Sequence, residues 1–168
     1  MTDNLLNAIP RLSGKRILVV GDVILDEYLI GSAARLSREA PIPVLEYRNR
    51  RVIPGGAANP AMNIAALGSI ALQVGLIGND LVGQELRSQL EAFAIDANGL
   101  IVDESRCTTQ KTRIVSQGRF PQQLARFDRV DRHPPNAEIE AAVIHQIQAI
   151  APGVDAVLIS DYRSGMLS

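Results

Sequence analysis

Three segments of the chain consist almost entirely of apolar residues, at positions 16–20, 72–78 and 156–160. Runs without the polar alternation of a half-exposed strand are typical of strands that are covered on both faces. A shorter apolar run at 100–102 predicts a further strand. Because such strands occur in parallel sheets between layers of helices, we expect an α/β fold.

Segments with the periodicity of a helix lie between these apolar runs. Over residues 82–95, apolar side chains recur every three or four positions, at Val82, Leu86, Leu90 and Phe93. A second stripe runs to about residue 150 and follows Asn136, whose side chain is suited to cap a helix. Residues 1–15 predict a short leading helix or arm, with Leu5, Leu6, Ile9 and Leu12 on one face.

Two segments break this rhythm. Short strands of mixed polarity are predicted at 28–31 and 44–47, with a turn-rich, proline-containing stretch between them. A hairpin is predicted from strands at 109–116 and 123–129, with a turn at 117–119. We expect these strands to form an arm that projects from the sheet. A small basic run, Arg48, Arg50 and Arg51, is interpreted as a solvated strand face.

The segment from Pro54 to Asn63 joins a strand to a helix through two adjacent glycines, Gly55 and Gly56. Glycines let the backbone turn sharply and let a ligand approach it closely. Asn59 is predicted as the N-cap, Pro60 as the first helical residue and Gly68 as the helix end. Free backbone N–H groups at such a helix start suit a polar or anionic ligand. An ordinary strand–turn–helix junction has the same local pattern.

Two aspartates follow the first strand, Asp22 directly and Asp26 four residues later. In open α/β sheets, ligands gather at the carboxyl ends of strands. Asp22 is therefore expected to accept hydrogen bonds from substrate hydroxyls. Asp26 either does the same or caps the next segment, and both also fit ordinary turn or cap positions.

Composition narrows the class of protein. The chain has 168 residues, which fits one domain, and a net charge of −1, which offers no basic field for nucleic acid. Its single cysteine, Cys107, excludes an internal disulfide framework and suits a reducing compartment. The two histidines are not at a metal-ligand spacing, and neither a signal peptide nor a run of about 20 apolar residues is present. A cytoplasmic protein with no membrane partner is expected.

The glycine segment, Gly55-Gly56-Ala57-Ala58-Asn59, together with Asn63, Gly68 and Gly78, resembles the first signature of the ribokinase-like (PfkB) sugar kinase family. The resemblance covers residues 16–168. Three further stretches are similar to the heptose-phosphate kinase domains of bifunctional ADP-heptose synthesis proteins, and they occur in the same order: 20–28, 35–44 and 160–165.

The resemblance implies a ribokinase-like parallel sheet flanked by helices, with a small β-stranded lid from about 28–53 and 109–130. Residues 16–168 would form the N-terminal part of the kinase domain, with the C-terminal part of the fold missing. The implied reaction transfers a phosphoryl group from ATP, with Mg²⁺, to O1 of D-glycero-β-D-manno-heptose 7-phosphate, in lipopolysaccharide core precursor synthesis. The implied assembly is a homodimer through the lid strands.

The resemblance also implies roles for individual residues. Sugar hydroxyls would be bound by Asp22, Gly55, Gly56 and Asn59, with Asp26 as a further ligand. The substrate phosphate would need cationic partners, for which the candidates are Arg35, Arg38, Lys111, Arg126 and Arg163. At Arg163 the family usually has lysine, which carries the same charge in a different shape.

The family's Gly-Ala-Gly-Asp motif, which carries the catalytic aspartate, is absent from this sequence, as are its Asn-x-x-Glu motif and the appended nucleotidyltransferase domain. No catalytic residue or metal ligand is therefore assigned, and the chain alone is expected to have little or no kinase activity. Two alternatives stay open: a PfkB kinase for another sugar or a nucleoside, and a non-catalytic sugar-binding or dimerising module.

Overall fold

A four-stranded parallel sheet forms the centre of the molecule. A computed structural model describes residues 9–118 and 120–167. The strands of the sheet are β1 (Arg16–Gly21), β4 (Ile70–Ile77), β5 (Asp96–Val102) and β8 (Ala156–Ser160). The strand order is β5-β4-β1-β8, and all three strand pairs are parallel. The predicted apolar strands are confirmed, and the strand predicted at 100–102 begins earlier, at Asp96.

Helices cover both faces of this main sheet: α1 (Ala58–Ala66), α2 (Leu81–Ala92) and α3 (Ala137–Ile150). Side chains alternate along β1, so Val19 lies in the apolar cluster that includes residues of α1 and α2. Leu18 and Val20 lie in the opposite cluster, with Val143 of α3. The α/β prediction is confirmed by these two layers.

The helix caps match the sequence in one case and differ in another. Asn136 Oδ1 accepts a hydrogen bond from Ile139 N at 2.9 Å and caps α3 as predicted. The prediction for Asn59 is wrong: Ala57 occupies the N-cap of α1, and Asn59 and Pro60 lie inside the first turn. The chain has already turned at Gly56, whose φ is +59°. The side chain of Asn59 therefore has no capping role.

A second sheet contains both segments that depart from the alternation of strands and helices. Its strands are β2 (Val23–Leu36), β3 (Pro43–Gly56), β6 (Gln110–Ser116) and β7 (Gln122–Arg129), and their order in the sheet is β3-β2-β6-β7. The two short strands predicted at 28–31 and 44–47 are instead strands of 14 residues each. They pair antiparallel from Val23 opposite Gly56 to Leu36 opposite Pro43. Their ends near the core are buried, so one pair of strands belongs to both the core and the projecting arm.

A charged network attaches the second sheet to α2. Arg50 of β3 donates two hydrogen bonds to Glu85 of α2, at 2.7 and 2.6 Å, and a third to Glu27 of β2 at 2.5 Å. Glu27 also accepts hydrogen bonds from the side chains of Gln110 and Thr112 on β6. Arg50 is exposed on its strand, as the interpretation of a solvated strand face requires, and in addition it forms these ion pairs.

At the N-terminus, Ile9–Leu12 forms a short 3₁₀ helix, whereas Leu5 and Leu6 of the predicted arm lie outside the described residues, as does Arg119 of the predicted turn. A further 3₁₀ turn, Ala151–Gly153, joins α3 to β8. Among the helices of the described ranges, none is both long and apolar enough to cross a membrane.

Candidate sugar-binding site

A cavity of about 250 Å³ lies where β2 and β3 leave the core and form the second sheet. Its floor is the turn at Gly55 and Gly56 and the first turn of α1, and its wall is one face of the second sheet. The lining residues are Ile24, Asp26, Tyr28, Ile53, Pro54, Gly55, Gly56, Asn59, Lys111, Arg113 and Tyr162. Polar groups from separate elements thus converge on one concave space, as is usual for small-molecule sites.

Strand register explains why these side chains share a face. Asp26 of β2 is aligned with Ile53 of β3 and with Lys111 of β6. Two residues further along, Tyr28 is aligned with Arg113. Because residues that are aligned across a sheet, or two apart along a strand, point to the same face, the acid, the cations and the ring form one surface.

Asp26 and Arg113 form an ion pair at the centre of this wall. Arg113 Nη1 donates to Asp26 Oδ1 at 2.5 Å, and its guanidinium carbon lies 5.2 Å from the centre of the Tyr28 ring. Burial disfavours the charged guanidinium, but the hydrogen bond and charge of Asp26 outweigh burial and raise the pKa of Arg113 above its ordinary value. Arg113 therefore stays charged and holds the Asp26 carboxylate in one orientation.

The two glycines are required by close contacts with the aspartates. A Cβ atom on Gly55 would collide with Asp26 Oδ2, and one on Gly56 would collide with the backbone oxygen of Asp22. The sequence predicts a close approach at this turn. The structure identifies the neighbour at Gly55 as the Asp26 carboxylate.

Asp22 lies apart from this cavity and is only 4% exposed. Its Oδ2 accepts hydrogen bonds from the backbone N–H groups of Tyr162 and Ser164, at 2.9 and 3.1 Å, and its Oδ1 accepts one from Met166 at 3.3 Å. The structure thus brings Asp26, not Asp22, together with Asn59. Sugar binding by Asp22 stays a prediction.

A second cavity, of about 190 Å³, adjoins the first. Three residues line both cavities: Ile24, Lys111 and Tyr162. The other lining residues are Thr109, Arg126, Asp128, Val130, Arg132, Arg163 and Ser164. Three of the predicted phosphate contacts therefore lie around this space: Lys111, Arg126 and Arg163.

The other two predicted phosphate contacts lie elsewhere. Arg35 is near the far end of β2, nine residues beyond Asp26, or roughly 30 Å at the usual rise of a strand. Arg38 lies in the turn between β2 and β3. Neither residue lines either of the two cavities.

Five of the lining residues were not predicted from the sequence as site residues: Tyr28, Arg113, Tyr162, Arg132 and Ser164. Strand alternation from Asp26 would have indicated Tyr28. Arg113 could not be found in this way, because its place depends on the parallel pairing of β2 with β6, which are far apart in sequence.

Within the described ranges, no group of three or more His, Cys, Asp or Glu side chains is arranged to hold a metal ion. The described residues therefore provide no metal site built from protein ligands alone, whereas a Mg²⁺ ion held mainly by nucleotide phosphates would need only one or two carboxylates.

Comparison with known proteins supports the same fold. Residues 15–161 match the model of the pfkB family of carbohydrate kinases. The chain is 43% identical over 153 residues to the bifunctional protein HldE of Helicobacter pylori, an alignment that covers 91% of this chain and 32% of that protein. It is 40% identical over 167 residues to HldE of Caulobacter vibrioides, covering 99% and 33% of the two chains. The chain therefore spans about a third of the length of these relatives.

Solved structures show the same architecture. The tetrameric inhibited form of phosphofructokinase-2 from Escherichia coli superposes with a TM-score of 0.66 at 19% identity, over 92% of this chain and 47% of that one. A carbohydrate kinase from Agrobacterium tumefaciens gives 0.63 at 17% identity, over 86% and 45%. At these identities the likeness establishes the fold, and this chain covers less than half of each of the two solved structures.

Proposed function

Because this chain belongs to the pfkB family of carbohydrate kinases, we propose that it supplies the sugar-binding part of a kinase that phosphorylates a sugar hydroxyl. The observation that carries the proposal is the 250 Å³ cavity, in which Asp26, Asn59 and the glycine turn converge. A carboxylate and an amide side chain are groups that commonly recognise sugar hydroxyls, because each hydroxyl can both donate and accept.

In the proposed complex, sugar hydroxyls donate to Asp26, whose orientation is set by Arg113. Asn59 offers both a donor and an acceptor at the cavity floor, since its side chain is not used as a helix cap. Gly55 and Gly56 allow the sugar to approach the backbone of the turn. Binding in a fixed orientation is the contribution that phosphoryl transfer most requires from this part of a kinase.

The substrate that we propose is D-glycero-β-D-manno-heptose 7-phosphate, with transfer to its O1. The support is the resemblance of residues 20–28, 35–44 and 160–165 to heptose-phosphate kinase domains, together with the 40–43% identity to the two HldE proteins. ATP with Mg²⁺ would supply the phosphoryl group. The contribution that we propose for this chain is the binding of the sugar.

The sequence contains no Gly-Ala-Gly-Asp segment to provide a catalytic aspartate. We therefore propose that the 168-residue chain binds the sugar without transferring phosphate by itself. An assay of ATP consumption with heptose 7-phosphate tests this point. Turnover close to that of a full-length heptose-phosphate kinase would contradict it.

The binding proposal is tested by titrating the chain calorimetrically with heptose 7-phosphate, before and after Asp26→Asn. Loss of a charged acceptor is expected to weaken binding about tenfold or more. Asp96→Asn, on the far edge of the main sheet, is the matched control and should leave affinity unchanged. Equal affinities of wild type and Asp26→Asn, with both variants folded, would refute the role of this cavity.

We also propose a homodimer formed through the second sheet. The face opposite the cavity carries Leu29, Tyr47, Ile114 and Phe127, assigned to that face by strand register. Tyr47 is 69% exposed and Phe127 is 65% exposed. A second copy of the chain would cover these exposed rings, and exposed apolar side chains gathered on one face are typical of protein–protein interaction sites.

A further inference from the structure

The second cavity has a strongly positive lining. Four cationic side chains border it, Lys111, Arg126, Arg132 and Arg163, against a single carboxylate, that of Asp128. Such a concentration of one charge in a concave space attracts ligands of the opposite charge.

Among the described residues, one of these four cations has a carboxylate partner. Arg126 forms a bidentate pair with Asp128, with Nε to Oδ1 at 2.7 Å and Nη2 to Oδ2 at 3.0 Å. Lys111 has its ammonium group 5.8 Å from the centre of the Tyr162 ring, a contact that leaves its charge in place. In the described part of the chain, no carboxylate lies within 4.0 Å of the cationic groups of Lys111, Arg132 or Arg163. The cavity therefore has an excess of positive charge.

A buried hydroxyl group in the same wall has no hydrogen-bond partner in the described part of the chain. Ser164 is 7% exposed, and its Oγ makes no hydrogen bond within the described residues. Its backbone N–H is held by Asp22 Oδ2, so the residue is fixed in place while its hydroxyl stays free. A buried polar group without a partner is unfavourable, and an oxygen of a bound ligand would satisfy it.

We propose that this second cavity binds a phosphate group carried by the sugar in the first cavity, with Arg132 and Ser164 as residues that determine specificity for a phosphorylated sugar. The inference rests on the proposed function. Guanidinium groups and hydroxyl donors match the three oxygens of a phosphate monoester. Because Ile24, Lys111 and Tyr162 line both spaces, one ligand can place its ring in the first and its exocyclic phosphate in the second.

The test compares two ligands, heptose 7-phosphate and the unphosphorylated D-glycero-D-manno-heptose, by calorimetry on the 168-residue chain. Arg132→Gln should weaken binding of the phosphorylated sugar about tenfold or more, and Ser164→Ala about three- to tenfold. Neither substitution should change the affinity for the unphosphorylated sugar. Arg11→Gln, in the exposed 3₁₀ helix, removes the same charge away from both cavities and should have no effect.

Equal losses for the two sugars, or no loss for either, would overturn the proposal. A loss confined to a non-hydrolysable ATP analogue would also overturn it, because the phosphate would then belong to the nucleotide. Titration with inorganic phosphate alone, followed by ³¹P NMR, tests the anion site separately from the sugar-kinase proposal. If phosphate binds through Arg132 and Ser164 while neither sugar binds, the anion site stands and the sugar-kinase proposal fails.

Discussion

At the scale of the residue, Gly55 is the point at which backbone geometry controls the proposed binding group. Its missing side chain leaves room for Asp26 Oδ2, while Asp26 Oδ1 is held by Arg113. The carboxylate is thus confined from two sides, one steric and one electrostatic. Confinement of this kind reduces the conformational freedom that ligand binding would otherwise remove.

Gly55→Ala is therefore expected to displace the Asp26 carboxylate and to weaken sugar binding about tenfold or more, in line with misplacement of a binding group by a fraction of an ångström. Titration calorimetry with heptose 7-phosphate measures the loss. Gly153→Ala is the control, since a Cβ there meets no atom within 4 Å. Unchanged affinity in the Gly55 variant would show that Asp26 tolerates the added methyl group.

A second prediction concerns Asp22, whose buried carboxylate accepts hydrogen bonds from three backbone N–H groups. Asp22→Asn places an NH₂ donor against those donors and is expected to lower the free energy of unfolding by about 2–4 kcal/mol. Urea denaturation measures the change. Asp161→Asn, which alters a single exposed contact to Arg163 N, is expected to lower stability by less than about 1 kcal/mol.

The sequence could place both aspartates in the segment after β1 but could not assign their roles. Asp22 and Asp26 are the same residue type in the same segment, and only the fold shows that one faces a loop 140 residues away. The glycine turn was predictable because its signal is local. The three partners of Asp22 were not, because they come from the far end of the chain.

At the scale of the element, the second sheet depends on the network from Glu85 of α2 through Arg50 to Glu27. The hydrogen bond from Arg50, and then its charge, outweigh desolvation and lower the pKa of Glu85 below its ordinary value of 4.5. The hydrogen bonds to Glu85 and Glu27 in turn raise the pKa of Arg50. These ion pairs thereby join α2 to the hairpin of β2 and β3.

Glu85→Gln is expected to lower the free energy of unfolding by about 0.5–1 kcal/mol at pH 7, a modest value because both partners are about a third exposed. A carboxylate whose pKa is lowered by folding stabilises the protein above its unfolded pKa. The difference between wild type and variant should therefore be complete above pH 4.5 and disappear as the pH falls through the lowered pKa. Chemical denaturation at several pH values measures it.

Glu91→Gln, on the same helix, should show no such pH-dependent difference. Faster amide hydrogen exchange in β2 and β3 of the Glu85 variant would further indicate that the hairpin is less firmly attached. A difference between wild type and Glu85→Gln that persisted well below the unfolded pKa would contradict the electrostatic origin.

The elements were predictable where their hydrophobic pattern was simple, as in β1, β4, β8 and α3. The hairpin of β2 and β3 was predicted too short because its outer half is exposed on both faces and loses the alternation that marks a strand. Backbone hydrogen bonds between β2 and β3, rather than burial of side chains, keep this outer half extended.

At the scale of the whole molecule, the second sheet has two faces of different character. One carries Asp26, Lys111 and Arg113 around the cavity, and the other carries the exposed rings of Tyr47 and Phe127. The proposed sugar and the proposed second copy of the chain would therefore occupy opposite faces of the same strands.

Replacing both Tyr47 and Phe127 with Glu is expected to convert a dimer to a monomer, because charges would be buried at the interface. Light scattering coupled to size-exclusion chromatography measures the molar mass. Ile159→Glu is the control: Ile159 is also largely exposed but lies on β8 of the main sheet. A wild-type chain that is monomeric, or a dimer lost only through Ile159, would refute the proposed interface.

The α/β class and the existence of an arm followed from the chain's local patterns. The joining of two distant segments into one four-stranded sheet did not, because the β2–β6 pairing connects residues more than 80 positions apart. The two cavities depend on that pairing, and so their shape could not be derived from the sequence alone.

The anchoring of residues 162–166 by Asp22 affects how mutational data on this protein are to be understood. Tyr162, which lines both cavities, donates its backbone N–H to Asp22, whose carboxylate borders neither of them. Loss of ligand affinity in an Asp22 variant would therefore be compatible with two causes, the loss of the predicted sugar contact or the displacement of Tyr162. A parallel measurement of the stability of the same variant would distinguish between these two causes.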